Sequence, residues 1–493
     1  MTPDVDWFAL SPMLALLGGS AVALLGAVIV PSRRRKPLAA IAAASGFVAA
    51  FVLAALLYAD SDEARFVIAE TFARDRFAAL AAMIVCGAGL LAVGVSWGER
   101  FGEQGDEHVG EYYALLAAAA AGMVFLAAAN NLMVLFLALE WFSISLYVLC
   151  AIAGDRVEAL EAGLKYLIVG SFGSTVLLFG SALVFGATGE LGFQAIGAAA
   201  AERGLDDDPL LLAGLAMVLT GLGFKASAAP FHMWTPDVYQ GAPTPVTAFM
   251  SAATKTVALV LTLRVLVTAF PEHTEFWTIA LAAIACISLA VGNLAALVQT
   301  NVKRLLAYSS VSHAGFMLIP IAANNELGGR ALLYYLIPYS AMSIGAFAVV
   351  AARERELGRP VTLEGLSGFG WERPLLGIAL WVFMLGFAGF PLTGGFVGKF
   401  YAFSAAWEAG WTWLVIVGVV ATAISIYYYL GVVRALYMRS GLELQTAPIG
   451  GSPPREGLLQ ASVVACLAVT IGSFFAVQPL IDLAKDAANQ LPF

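Results

Sequence analysis

Apolar runs of about twenty residues, the length a helix needs to cross the hydrocarbon of a bilayer, recur along the whole chain. They fall near 8–30, 38–58, 78–96, 114–129, 131–152, 163–187, 209–240, 243–269, 276–298, 303–323, 330–352, 375–405, 411–438 and 457–483. A water-soluble fold cannot hide them: 60% of the residues are hydrophobic and only 12% charged. Inside lipid the backbone must satisfy its own hydrogen bonds, so runs of this length read as helices. The sequence therefore predicts an all-α polytopic membrane protein with about fourteen transmembrane helices. The shortest division is at "AANNL" (128–132), where an Asn130–Asn131 turn splits an otherwise continuous run. The amino-terminal "MTPDVDWF" lacks the basic region of a cleaved signal peptide, so the first run is expected to be retained.

Basic loop residues orient the spans. "RRRK" (33–36), Arg100, Arg156, Lys303, Arg304, Arg353, Arg355, Arg359, Arg373, Arg439 and Arg455 fall on one side. Arg65, Arg74, Arg76, Arg203, Arg330 and Lys485 fall on the other. The first side is the richer, which makes it cytoplasmic and predicts that both termini face away from the cytoplasm. The net charge of −8 resides in loops, and no basic footprint for nucleic acid is present. Cys86, Cys150, Cys286 and Cys466 all lie in apolar runs without CxxC or His/Cys spacing, so they read as small core hydrophobes.

Two runs are too long for one straight span. Residues 209–240 contain "GFKASAAPFHMWTPD", where Pro230 removes a backbone donor and blocks the preceding turn. Residues 375–405 contain "GFAGFPLTGGFVGKFYAF", with Pro391 among five glycines. Two Gly/Pro-interrupted segments five spans apart point to inverted repeats, each with a broken helix lining a wet cavity. The expected division is an amino-terminal three-helix segment (1–110), a first five-helix repeat (111–270), a second (271–440) and a carboxy-terminal loop with one span (441–493).

The chain has only seven lysines. Lys36, Lys303 and Lys485 sit at ends or in loops, whereas Lys165, Lys225, Lys255 and Lys399 fall inside apolar runs. A lysine at the centre of an inserted helix costs about 2.5–3.5 kcal/mol, so four of them together with the mid-span Glu140 call for a function. A structural ion pair is the plainer reading, and for Lys165, nearer a span end, snorkelling is. Burial penalises a charge and a partner offsets that penalty, so a buried pair can exchange protons when its geometry changes. That suits a proton relay. His232, beside the first break, and His313, in "LLAYSSVSHAGFML", are equally read as structural or as relay groups. Arg264 and Arg434 lie near span ends, where snorkelling is expected. His108 and His273 lie in loops.

The stretch "GFKASAAPFHMWTPDVYQGAPTPVTAFMSAATK" (223–255) resembles the N-type antiporter-like membrane subunits of the bacterial proton-pumping NADH:quinone oxidoreductase, respiratory complex I. "LMVLFLALEWFSISLYVLCA", "VKRLLAYSSVSHAGFMLI" and "GFPLTGGFVGKFYAF" resemble them too, and the likeness runs from about 110 to 440. It implies an ion pair of Glu140 with a lysine, Lys225 being the first candidate. It further implies a channel lysine at Lys225, a linking lysine at Lys255, a terminal lysine at Lys399 and a further family lysine at Lys165, with His232 and His313 at polar family positions. The resemblance implies a non-redox subunit of a proton-translocating enzyme without a cofactor of its own; FMN, iron–sulfur clusters and quinone chemistry would belong to partner subunits. Expected partners are other membrane-arm subunits, especially a second antiporter-like subunit and a small K-type subunit, together with lipids. Subunits of standalone cation/proton antiporters and of hydrogenase- or ferredoxin-linked complexes share the pattern and stay open as alternatives.

Overall fold

The computed structural model describes residues 5–100, 107–438 and 456–493, so Arg439 and Arg455 of the basic-side tally lie outside the described residues. Helices α1 (Trp7–Ile29), α2 (Ser32–Asp60) and α3 (Arg76–Ser96) come first. They are followed by α4 (Val109–Ala127), α5 (Leu132–Ala151), α6 (Val157–Thr188), the short α7 (Phe193–Arg203), α8 (Pro209–Lys225), α9 (Trp234–Gly241) and α10 (Thr244–Ala269). Next come α11 (Thr274–Leu297), α12 (Val302–Ala323), α13 (Glu326–Leu357), α14 (Phe369–Glu372), α15 (Pro374–Ala388) and α16 (Gly394–Glu408). The last are α17 (Thr412–Met438), α18 (Gly457–Phe475) and α19 (Val477–Ala488). Among the described residues twelve helices are long and apolar enough to cross a membrane. The pairs α8/α9 and α15/α16 are short helices separated by unwound stretches, and the segment Glu364–Glu372 meets α15 at 119°, a bent pair that would make thirteen spans if it counts as one.

One expectation needs correction. The last run was expected to span 457–483, yet its helix stops at Phe475 and turns into the amphipathic α19, which buries Ile481, Ala484 and Ala487 and exposes Asp482, Lys485 and Asp486. Charges at that spacing suit a helix lying on a surface. In this otherwise helical fold Arg65–Val67 and Phe72–Arg74 form a small two-stranded antiparallel ribbon between α2 and α3. The narrow break at 128–132 is a real turn: Asn131 Oδ1 caps α5 by accepting from Met133 N at 2.8 Å, and Asn130 donates to Glu70 O and Gln194 Oε1.

The sets α4–α10 and α11–α17 pack alike. In the first set α4 packs on α5 and α10, and α6 on both halves α8 and α9. In the second, α11 packs on α12 and α17, and α13 on both halves α15 and α16. The seam between the sets is the centre of the molecule, where α10 is buried along its whole length and α12 and α13 nearly so. These central helices can be polar-dotted because neighbouring protein, and not lipid, surrounds them.

Arg264 does not snorkel. Near the end of α10 it is 2% exposed, makes a bidentate bond to Asp75 at 2.7 and 2.9 Å, and lies 5.1 Å from the centre of the Phe77 ring. Asp75 in turn caps α3 by accepting from Ala78 N at 2.7 Å. The pair ties the amino-terminal helices to the core. Arg264→Met should strand a buried carboxylate and destabilise the protein by about 3–5 kcal/mol. Thermal melting of the detergent-solubilised protein checks this, and the double variant with Asp75→Leu should recover most of the loss.

Candidate functional site

At the first break α8 ends because Ser227 takes a left-handed φ of +58° and Ala228 N reaches back to Gly223 O at 2.9 Å. The unwound backbone between α8 and α9 must find partners elsewhere. Ala229 N donates to Ser288 Oγ of α11 at 2.8 Å, and Trp234 Nε1 donates to Phe224 O at 3.3 Å. The carbonyl of Ala226 is met by an ammonium: Lys255 Nζ, from α10, donates to it at 2.9 Å. Lys225, the last residue of α8, donates from Nζ to Ser143 Oγ of α5 at 2.7 Å and is ringed by Phe142, Phe224, Tyr147 and Tyr166, whose centres lie 5.4–6.0 Å away.

Glu140 lies one turn from Ser143 on the same face of α5. Its Oε1 is buried without a hydrogen-bond partner among the described residues. The direct ion pair expected between Glu140 and Lys225 is therefore not closed; the serine hydroxyl, one turn closer along α5, takes the ammonium instead.

The second break has the same construction. Gly389 stands at φ +84°, and Phe390 N bonds Leu385 O at 3.0 Å to close α15. A Cβ at Gly389 would lie 3.0 Å from Lys399 Cδ, so glycine serves both the turn and the lysine's passage. Lys399 sits six residues into the second half-helix, not at the break itself. Its Nζ reaches back to Ala388 O at 3.3 Å and lies 4.1 Å from the centre of the Phe316 ring. At both breaks a lysine thus meets a carbonyl at the negative end of a half-helix, where the macrodipole favours a cation.

Helix α12 joins the two breaks. Lys255 Nζ makes its other bond to Ser310 O at 2.9 Å, and Ser310 Oγ pairs with Tyr339 OH at 3.0 Å. One turn further, His313 is buried with Nδ1 2.9 Å from Tyr335 OH and Nε2 3.2 Å from Tyr429 OH. Its ring centre lies 5.1 Å from that of Phe387, next to Ala388. Lys255, Ser310 and His313 therefore lead from the first broken helix to the second.

The other two sequence candidates stand apart from this row. His232 lies half-buried in the first break, its ring 6.3 Å from Tyr308 and its Nδ1 without a partner among the described residues. Lys165 is 44% exposed at its side chain and pairs with Glu161 at 2.7 Å and Asp237 at 3.0 Å. Asp237 also holds Arg304 at 2.5 Å, and these residues line a charged cleft of about 470 Å³. Lys303, assigned to a loop above, is instead buried, with Nζ donating to Ala242 O at 2.7 Å and Thr244 Oγ1 at 2.9 Å. Sequence reasoning also missed Ser143, Tyr335, Tyr339 and Tyr429. Only Ser143, three residues after the mid-span glutamate, carries a signal that could have found it.

Two packed repeats, each with a broken helix whose carbonyl end meets a buried lysine, define an antiporter-type membrane subunit. The family description "NADH:quinone oxidoreductase/Mrp antiporter, TM" matches residues 129–425, and the chain belongs to that family, within it to the N-subunit branch. It is 42% identical over 443 residues to NADH-quinone oxidoreductase subunit N of Chloroflexus aggregans, which covers 88% of this chain and 89% of that one. Among solved structures it resembles a chain of respiratory complex I from Thermus thermophilus with bound aureothin, at 34% identity and a TM-score of 0.79, covering 96% and 99% of the two chains. A chain of the Mrp complex from Dietzia shares the fold alone, at 22% identity and a TM-score of 0.84 over 99% and 98%.

Ser288→Ala tests the bookkeeping at the first break. It should leave the buried Ala229 N–H unpaired and cost about 1–3 kcal/mol, read as a lowered melting temperature, whereas Ser288→Thr keeps the hydroxyl and should cost less.

Proposed function

We propose that this chain is a proton-translocating membrane-arm subunit of an NADH-quinone oxidoreductase, working as a non-redox part of that enzyme. The observation that carries the reading is the buried lysine on the carbonyl end of each broken helix, Lys255 at the first and Lys399 at the second, with α12 between them. Glu140, Lys225, Lys255, His313 and Lys399 form the row through which protons pass. Lys165 works at its charged mouth, and His232 lends a polar ring beside the first break. Each ammonium is held by neutral acceptors, a hydroxyl or a carbonyl, so small movements of a half-helix change how well its charge is compensated. An ammonium that loses its acceptor passes its proton on; one that regains it takes a proton up.

FMN, iron–sulfur clusters and quinone belong to partner subunits in this reading, and redox energy released there shifts the row. The partners are membrane-arm subunits, among them a second antiporter-like subunit and a small K-type subunit, with lipids around the apolar faces. The divisions near residues 110, 270 and 440 follow the change from amino-terminal helices to first repeat, second repeat and last span. The protein lies in the bacterial inner membrane with both termini periplasmic, which makes the side bearing "RRRK" and the charged cleft cytoplasmic. A standalone antiporter would pump without NADH; pumping that needs NADH and stops with a quinone-site inhibitor separates the two.

Glu140→Gln should lower NADH-driven proton pumping in inverted vesicles by removing the charge nearest the Lys225–Ser143 pair, and Glu140→Asp should retain part of it. Wild-type pumping by a fully assembled Glu140→Gln complex would remove Glu140 from the row. Lys399→Ala should lower pumping while the complex assembles. Lys399→Arg should not restore it fully, because arginine hardly ever gives up its proton. Full recovery with arginine would make Lys399 a fixed charge.

A further inference from the structure

Lys303 has no part in the row described above, yet it is as buried as the lysines of that row, at 1% exposure, with no carboxylate within 4.0 Å among the described residues. Its Nζ donates to the carbonyl of Ala242, at the end of α9, and to the hydroxyl of Thr244. That hydroxyl is itself buried and donates to Glu354 Oε2. Glu354 is partly exposed and lines the charged cleft, along with Asp237, Arg304 and Lys165. A single hydroxyl therefore separates a carboxylate in contact with the cleft from an ammonium sealed in the protein.

The position of this triad along its helices gives it a direction. Thr244 is on α10 eleven residues before Lys255, or three turns, so the two share a face. Lys303 is on α12 seven residues before Ser310, or two turns, and these also share a face. Helices α10 and α12 pack together. One seam thus carries Thr244 and Lys303 at its cleft end, and Lys255 bonded to Ser310 O roughly 10–16 Å further in, at about 1.5 Å per residue. Tyr239, on α9, adds a buried hydroxyl with Ser310 and Thr254 as its polar neighbours.

We propose that Glu354, Thr244 and Lys303 form a second cytoplasmic proton inlet, which feeds Lys255 and the second repeat without passing Glu140 or Lys225. The inference rests on the function proposed above. The transfer balances as a shift along two hydrogen bonds. The O–H bond of a protonated Glu354 breaks as an O–H bond forms at Thr244. The original Thr244 O–H breaks as an N–H bond forms at neutral Lys303. Glu354 is left as a carboxylate and Lys303 as an ammonium, the polarity of the hydrogen bonds in this structure. A role confined to capping α9 would need only the bond from Lys303 to Ala242 and would be indifferent to the Thr244 hydroxyl.

The test is made in the assembled complex, in inverted membrane vesicles, with pumping normalised to the amount of complex. With a second inlet Lys225→Ala should retain part of its NADH-driven pumping. Adding Thr244→Val should cut that remainder roughly tenfold, about 1.4 kcal/mol in a barrier, while Thr244→Ser should leave it unchanged. Complete loss of pumping in Lys225→Ala, or a remainder indifferent to Thr244→Val, overturns the inlet. If Lys225→Ala does not assemble, the otherwise unaltered chain carries the test: Thr244→Val should pump less than Thr244→Ser, and equality overturns the proposal. Lys399→Ala is the control for the underlying reading. Normal pumping there refutes the row itself, whereas loss there with a silent Thr244→Val refutes the inlet alone.

Discussion

A carbonyl at the end of a helix broken inside the protein has no backbone donor to meet it, and no bulk water nearby. In this molecule the donor is an ammonium, Lys255 at Ala226 and Lys399 at Ala388. Lys303 at Ala242 repeats the solution at the far end of α9. The break needs the cation to satisfy its backbone, and the cation needs the break, because the carbonyl and the half-helix dipole offset part of its burial. Helix interruption, buried charge and the small residues that let them meet, such as Gly389 beside Lys399, therefore come as a set.

Much of this was legible in the sequence because charges inside apolar runs are costly and so stand out. Glu140, Lys225, Lys255 and Lys399 announced themselves in that way, as did the two Gly/Pro-interrupted segments. What escaped reading depends on contacts between residues far apart in the chain. Arg264 looks like a snorkelling end residue until Asp75, 189 positions away, is found against it. Lys303 stands beside Arg304 at the start of a span and looks like a loop charge, but α9 ends on top of it. Tyr335 and Tyr429 look like ordinary core aromatics, and only packing shows their hydroxyls on the two nitrogens of His313. Lys165, which in sequence matches the buried lysines, is drawn to the surface by Glu161 and Asp237.

The fold is shared with an Mrp complex subunit at 22% identity, so the architecture by itself does not separate a redox-driven pump from an antiporter. Lys225 rests on a neutral hydroxyl with the Glu140 carboxylate one turn away along α5, and His313 is held at both nitrogens by tyrosines. On the proposed function, a displacement passed on from a neighbouring subunit acts on these contacts.

The most direct measurement is a density map of the assembled membrane arm at a resolution that shows ordered water. The account predicts water in contact with Glu140, Lys225, Lys255, His313 and Lys399, joining them into one hydrated path through the breaks at 226–233 and 389–393. A dry, apolar seal between Lys255 and Lys399, with both ammonium groups enclosed by carbonyls and rings alone, would contradict it.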